Sequence, residues 1–295
     1  MNLLVTAATL IVALLSGTVS ASAAASAAPT STIKNKSQST VTVYMVDGGY
    51  LLNKFYKAAT IHDFTKDKGT SLHGLDCDRD WGGFHGNKVT SLVAKYSGTT
   101  PVRFVTLKVL PCDDDYSNAF WHVYDALEYV AKNHRSGPAV VNLSVSTERF
   151  SVALDIPLRK LEEMNIPVVT AAGNYGGNAC DLFSASSKKT ITVGALNEDF
   201  TNIWENSNTG PCVNYYAQSY HSCAKEGNKV VNCNSTSFAA PVVSGIIVSW
   251  LSANPKANIA STRSMLTKAS KIKTVRHKGK VSHIRYLPTP TKIRF

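Results

Sequence analysis

Val41-Thr42-Val43-Tyr44-Met45-Val46-Asp47-Gly48-Gly49 is the stretch on which the fold turns. It is a continuous β-forming run, apolar apart from Thr42, that stops at an acid followed by two glycines. A strand covered on both faces reads this way, because neither set of alternating side chains meets water. Working outward, a loop-rich region leads to His85-Gly86, and Asn87 to Lys95 predicts a helix. Val102 to Leu110 repeats the strand pattern, as do Ala139 to Val145, Pro167 to Ala172 and Thr190 to Ala195. Between them, Asn118 to His134 carries Ala119, Val123, Ala126, Leu127, Val130 and Ala131 on one helical face, and Ser151 to Asn165 is also helical. Apolar strands alternating with helices imply an α/β fold: a doubly wound parallel sheet flanked by helices. Residues 199–234 read as loops and short strands. Thr236 to Ser252 follows, apolar nearly all round, as a buried helix that tolerates Gly245 and carries Pro241 near its first turn.

Of the 295 residues, Met1 to about Ala27 are an apolar run turning small and polar, with Ala-x-Ala sites. This is the form of a secretory signal peptide. Thr6, Thr9 and Ser16 interrupt the run, which is shorter than the ~20 apolar residues a membrane span needs. Residues 28–40 form a linker carrying the glycosylation sequon Asn35-Lys36-Ser37, and residues 41–270 are long enough for one large domain. Residues 271–295 are a basic segment packed on the domain or trailing from it. Six cysteines follow the signal, Cys77, Cys112, Cys180, Cys212, Cys223 and Cys233, with no C-x-x-C pair. In an exported chain an even count points to disulfides, though six cysteines allow 15 pairings. A local bridge is expected among the crowded Cys212, Cys223 and Cys233.

The net charge of +11 is concentrated near the C-terminus, at Lys268, Lys271, Lys273, Arg276, Lys278, Lys280, Arg285, Lys292 and Arg294. A solvated surface is the preferred reading of that segment. Without aromatic residues interleaved, it lacks the form of a single-strand binder, and no nucleic-acid partner is expected. Nor is a membrane contact expected after signal removal, and the chain is read as a monomer. A rival reading makes the basic segment the functional surface and the domain its carrier.

In doubly wound folds, ligands settle in the crevice beyond the C-terminal ends of the strands. The pattern brings Asp47, Ser144 and Asn174 there, with His85 opening one helix and Ser237 another. A carboxylate, a base, a nucleophile and an amide donor are the parts of an acyl-transfer site. The chain resembles the subtilisin-like serine proteases, nearest to their proteinase K branch. Val43 to Gly49 matches the strand-Asp-[Ser/Thr]-Gly motif with Gly48 at the hydroxyl position, His85-Gly86-Asn87-Lys88 matches H-G-T-H, and Lys108-Val109-Leu110 matches K-V-L. Asn142 to Thr147 resembles the substrate-binding strand ending S-x-G-G, and Ala171-Ala172-Gly173-Asn174 the oxyanion motif. Ser235-Thr236-Ser237-Phe238-Ala239-Ala240-Pro241 is similar to G-T-S-M-A-x-P.

The resemblance implies a secreted endopeptidase in which Asp47 is the triad carboxylate, His85 the general base, Ser237 the nucleophile and Asn174 an oxyanion donor beside the Ser237 backbone N–H. It also implies substrate binding by Ser144, Val145 and Ser146, with a peptide or protein in the cleft. Lys88 replaces a histidine outside the triad, Ser235 replaces a glycine, and Ser146 and Thr147 replace the pocket-strand glycines. The family's secreted members usually carry an inhibitory pro-domain, whereas only a short linker separates this signal from the first strand. These departures motivate an alternative, a catalytically impaired homologue acting as a peptide- or inhibitor-binding decoy. No cofactor is expected and no metal site is assigned: family members often bind Ca²⁺, but no ligand run marks such a site, and Asp113-Asp114-Asp115 reads as a solvated loop.

Overall fold

The computed structural model describes residues 38–77, 84–113, 115–146, 152–224 and 229–289. The expected signal, nearly all of the linker with its sequon, Asp114, Thr147, Ser151, Lys292 and Arg294 lie outside the described residues. In chain order the first elements are β1 (Val41–Asp47), β2 (Ala58–Asp63), α1 (His85–Tyr96), β3 (Val102–Lys108), α2 (Ala119–Asn133) and β4 (Ala139–Leu143). Next come α3 (Asp155–Glu163), β5 (Val168–Ala171), the single turn α4 (Phe183–Ser186), β6 (Thr190–Leu196) and β7 (Tyr215–Gln218). A small hairpin, β8 (Tyr220–Ala224) and β9 (Val230–Asn234), leads into α5 (Thr236–Ala253) and α6 (Ile259–Ala269). A second hairpin follows, β10 (Lys271–His277) and β11 (Lys280–Tyr286).

The main sheet has the order β10-β11-β7-β6-β5-β4-β1-β3-β2 and is parallel except for the antiparallel β10–β11 pair. β1 is an interior strand, third from the β2 edge, hydrogen-bonded to β3 on one side and β4 on the other. Its period-two alternation sends Val41, Val43 and Met45 to the face covered by α1, α5 and α6, where they pack with Leu92, Val243 and Leu266. Tyr44 and Val46 turn to the opposite face, packing with Val123, Leu127 and Leu158 of α2 and α3. Both faces are therefore dry, as the unbroken apolar run requires, and each fully buried Val or Leu contributes about 1.5–3 kcal/mol relative to exposure.

Two parts of the sheet were not expected. β2 lies within the stretch read as loop; it is a half-buried edge strand whose register slips between Ala58 and Thr60. Part of the basic C-terminal segment forms the β10–β11 hairpin, which joins the sheet through the single parallel pair Tyr286 and Tyr216. Val275 and Ile284 anchor its inner side against Leu196 and Ile203.

α5 is buried through the middle of the domain, and among the described residues it is the helix long and apolar enough to cross a membrane. Gly245 makes its crossing of α1 close, since a Cβ there would lie 2.5 Å from the Tyr96 Cβ. Pro241 is the sixth residue of α5, just past its first turn. Lacking an N–H, it leaves the Ser237 carbonyl without a helical donor. The six cysteines form three bridges, Cys77–Cys112, Cys180–Cys212 and Cys223–Cys233. The last is the expected local one, stapling β8 to β9.

Candidate active site

β1, β4 and β5 end at one edge of the sheet, and the polar residues singled out from sequence gather there. Asp47 closes β1 and is fully buried; its Oδ1 lies 2.7 Å from the Nδ1 of His85, which is also buried. A carboxylate can only accept, so Nδ1 carries the proton and the Nε2 lone pair faces away from the acid. Oδ1 also accepts from the Gly48 N–H at 2.7 Å. Oδ2 is buried with no hydrogen-bond partner among the described residues, and Gly48 stands where the resembled motif carries a hydroxyl.

Backbone geometry sets the approach of base to acid. Phe84, immediately before α1, has φ 61°, a left-handed conformation that a bulky side chain adopts only under constraint. It turns the chain so that His85 opens the helix. Gly86 packs directly on the turn after β1, where a Cβ would fall 2.7 Å from the Gly49 carbonyl oxygen. Asn87 then ties the helix down. Its N–H donates to Asp76 Oδ2 at 2.6 Å, and its Oδ1 accepts from the Tyr56 hydroxyl at 2.7 Å and the Leu51 N–H at 2.9 Å. Lys88 is buried on the same helix.

Ser237 lies in the first turn of α5, the positive end of the helix dipole. Its neighbour Phe238 packs on the His85 ring with centroids 5.5 Å apart, so nucleophile candidate and base candidate share one corner. The Ser237 hydroxyl donates to the Ser144 carbonyl at 3.1 Å, and the Ser144 hydroxyl donates back to the Ser237 carbonyl at 3.0 Å. That second bond replaces the donor that Pro241 cannot supply. Behind it, Asn142 Nδ2 donates to Ser144 Oγ at 2.9 Å, and the Ser244 hydroxyl donates to Asn142 Oδ1 at 2.8 Å. Ser235 caps the helix by accepting the Ser237 N–H on its hydroxyl at 3.1 Å. The N–H expected to meet an oxyanion is therefore already engaged, because a hydroxyl occupies the position of the motif's glycine.

Asn174 follows β5. Its Oδ1 accepts from the Thr236 N–H at 3.0 Å and the Thr236 hydroxyl at 2.7 Å. An N–H cannot accept, so the amide oxygen must face α5, and the Nδ2 hydrogens point the other way. Among the described residues Nδ2 has no protein partner. Val145 packs toward the α2 and α3 core, while Ser146 is partly exposed at the end of the same segment.

The model of the Subtilase family, Peptidase_S8, matches residues 38–284. The chain belongs to the subtilase family. Subtilisin-like protease 2 of Trichophyton verrucosum is 31% identical over 182 residues, covering 57% of this chain and 41% of that protein. Cerevisin of Saccharomyces cerevisiae is 29% identical over 233 residues, covering 73% and 34%. The Extracellular serine proteinase of Thermus sp. is 30% identical over 263 residues, covering 85% and 60%. This subtilase thus spans less than two thirds of the length of these curated relatives. The crystal structure of a cold adapted subtilisin-like serine proteinase shares its fold, with a TM-score of 0.70 at 23% identity, covering 85% of this chain and 89% of that one.

Calcium is common in the resembled family, and two acidic clusters of this subtilase bear on it. Asp67, Cys77 and Cys112 converge, but both sulfurs are in a disulfide and the Lys108 ammonium sits 2.7 Å from Asp67 Oδ2. A cation is already in place there. Asp113 and Asp115 are exposed and paired with Lys66. Neither cluster fits a metal ion.

Asn142, Thr236 and Phe238 stand inside the quoted motifs without an assigned role, and Ser244 lies outside them. A signal for two of them was present: Asn142 and Ser244 are polar residues inside apolar runs, and a polar group at a buried position needs a partner.

Proposed function

We propose that this subtilase is a secreted serine endopeptidase in which Asp47, His85 and Ser237 act as a catalytic triad. The observation that carries the reading is the buried 2.7 Å bond between Asp47 and His85, at the corner where α5 presents Ser237. Asp47 fixes the ring with Nδ1 protonated, which leaves Nε2 as the base. On substrate binding, the Ser237 hydroxyl swings from the Ser144 carbonyl to Nε2. Its oxygen then attacks the peptide carbonyl carbon while its proton passes to His85.

The carbonyl π electrons move onto oxygen, and the oxyanion takes a hydrogen bond from Asn174 Nδ2. A second comes from the Ser237 N–H once that group leaves Ser235. Collapse expels the amine, which receives the proton from His85, and water repeats the sequence on the acyl-enzyme. Ser144, Val145 and Ser146 line the substrate's path as the segment after β4. No step calls for a metal or cofactor.

Export is supported by the apolar leader and by three disulfides, which persist in oxidising compartments. The test is turnover of a peptide substrate by the chain and by Ser237→Ala. The reading expects kcat to fall about 10⁶-fold, the scale known for the subtilisin triad. Turnover that survives the substitution would overturn it.

A further inference from the structure

The oxyanion loop continues past Asn174 into Gly176 and Gly177, and these form one wall of a cavity of about 730 Å³. The β10–β11 hairpin forms the other wall, contributing Lys278, Lys280, Arg285, His277 and His283. Gly176 is two residues from Asn174, so the wall begins no more than about 7.6 Å from the oxyanion donor's Cα. The two walls touch, since Lys278 Nζ donates to the Gly176 carbonyl at 2.7 Å.

Charge in this cavity is one-sided. No Asp or Glu lines it, and the sequence contains none from Gly227 to Phe295. Among the described residues, no Lys or Arg of the hairpin has a carboxylate within ion-pair distance. Uncompensated cations repel one another, and an anion relieves that repulsion. A second role for basic residues in such a hairpin is to guard an edge strand against pairing with another chain. That accounts for Lys271 and Lys273 on the outer strand β10. It does not account for Lys280 and Arg285, which sit on the inner strand β11 and face the cavity, nor for Lys278, which reaches across to the catalytic loop.

We propose that this cavity is an exosite for an acidic stretch of the polypeptide substrate, so that proteins carrying clustered carboxylates near the cleavage point are preferred. A polypeptide is the occupant because Gly176 and Gly177, two and three residues past the proposed oxyanion donor Asn174, form one wall of the cavity, so a substrate chain held at that donor has the basic wall within a few residues' reach. The proposal rests on the endopeptidase reading, and the test separates the two. The full chain bearing Ser237→Ala is titrated with a fluorescein-labelled peptide containing a run of glutamates and with its glutamine twin, by anisotropy at low salt. The glutamate peptide should bind more tightly, and added salt should erase the advantage. Replacing Lys278, Lys280 and Arg285 together by alanine should weaken it about tenfold while the glutamine twin is unaffected. The Lys278→Arg, Lys280→Arg variant, which keeps the charge, should retain the binding, and thermal denaturation of each variant checks the fold.

Equal binding of the two peptides, or an alanine variant that binds like its parent, would overturn the proposal. So would a sulfated oligosaccharide that binds the cavity while the glutamate peptide does not. In parallel, the unsubstituted chain is assayed for cleavage of both peptides. Cleavage of the glutamine peptide without tighter glutamate binding keeps the enzyme and removes the exosite. Glutamate binding without cleavage of either peptide does the reverse.

Discussion

The acid–base half of the site and its nucleophile half are built on opposite plans. Asp47 and His85 are bonded to one another at 2.7 Å and buried, and the glycine contact after β1 and the Asn87 hydrogen bonds hold them in place. Ser237 is instead engaged by serines on every polar atom: its hydroxyl by the Ser144 carbonyl, its carbonyl by the Ser144 hydroxyl, its N–H by the Ser235 hydroxyl. The first half needs no rearrangement to act. If Ser237 is the nucleophile proposed above, the second must exchange hydrogen bonds when substrate arrives, each worth about 1 kcal/mol net. On the proposed triad reading, the base is preorganised in the resting molecule and the nucleophile is parked.

The sharpest strain on that comparison falls on Asn174, the one donor of the nucleophile half already turned outward. Asn174→Ala should lower kcat about 10²–10³-fold with little change in KM. A KM effect alone would show that Nδ2 meets substrate and not the oxyanion. The acid–base half can be probed through the far end of its helix. There the Tyr96 hydroxyl lies 3.1 Å from His221 Nδ1, and His221 Nε2 lies 2.9 Å from the Gln218 carbonyl oxygen. Burial pulls the His221 pKa down to about 4, aided by Lys95 and opposed by the carbonyls of Gln218 and Phe238.

An unfolded histidine takes its proton near 6.5, so between about 6.5 and 4 the unfolded chain binds a proton that the folded chain refuses. Stability should therefore drop as pH falls through that window, by up to about 3 kcal/mol at its lower end. Urea titrations across the window should show a shallower slope for His221→Gln, and an unchanged slope would remove this ring from the account.

Smaller effects test the serine clamp. Ser144→Ala strips the Ser237 carbonyl of its donor and should cost about 1–3 kcal/mol in denaturant stability. Adding Pro241→Ala returns an N–H to that carbonyl, so the double variant should recover part of the loss. Simple additivity would mean that the two groups do not share the acceptor. The smallest expected change is a gain. Ser235→Gly releases the Ser237 N–H and should raise kcat a few-fold, roughly the exchange of one neutral hydrogen bond. The loss of stability should be only a few tenths of a kcal/mol, because glycine is also tolerated as a cap.

The sheet and its covering helices were legible because their strands are apolar on both faces, a pattern that no exposed segment maintains. The edges were not. β2 is half-buried and irregular in register, and the β10–β11 hairpin is so densely charged that its inward residues, Val275 and Ile284, are outnumbered. In the site, Asp47 and Asn174 could be named because they follow apolar strands, and His85 and Ser237 because they open helices, each inside a motif. What the motifs could not supply was the hydrogen-bond traffic between distant residues. The reciprocal Ser144–Ser237 pair depends on a missing proline N–H, and the engaged Ser237 N–H depends on the rotamer of Ser235. Both follow from tertiary geometry.

The proposed mechanism stands or falls on whether His85, held by Asp47, makes Ser237 a nucleophile. Reaction with a peptidyl phosphonate, followed by mass mapping of the adduct, tests it directly. Stoichiometric modification of Ser237 is expected, abolished by His85→Ala although the serine remains. An unmodified Ser237, or labelling that persists without the imidazole, would contradict it.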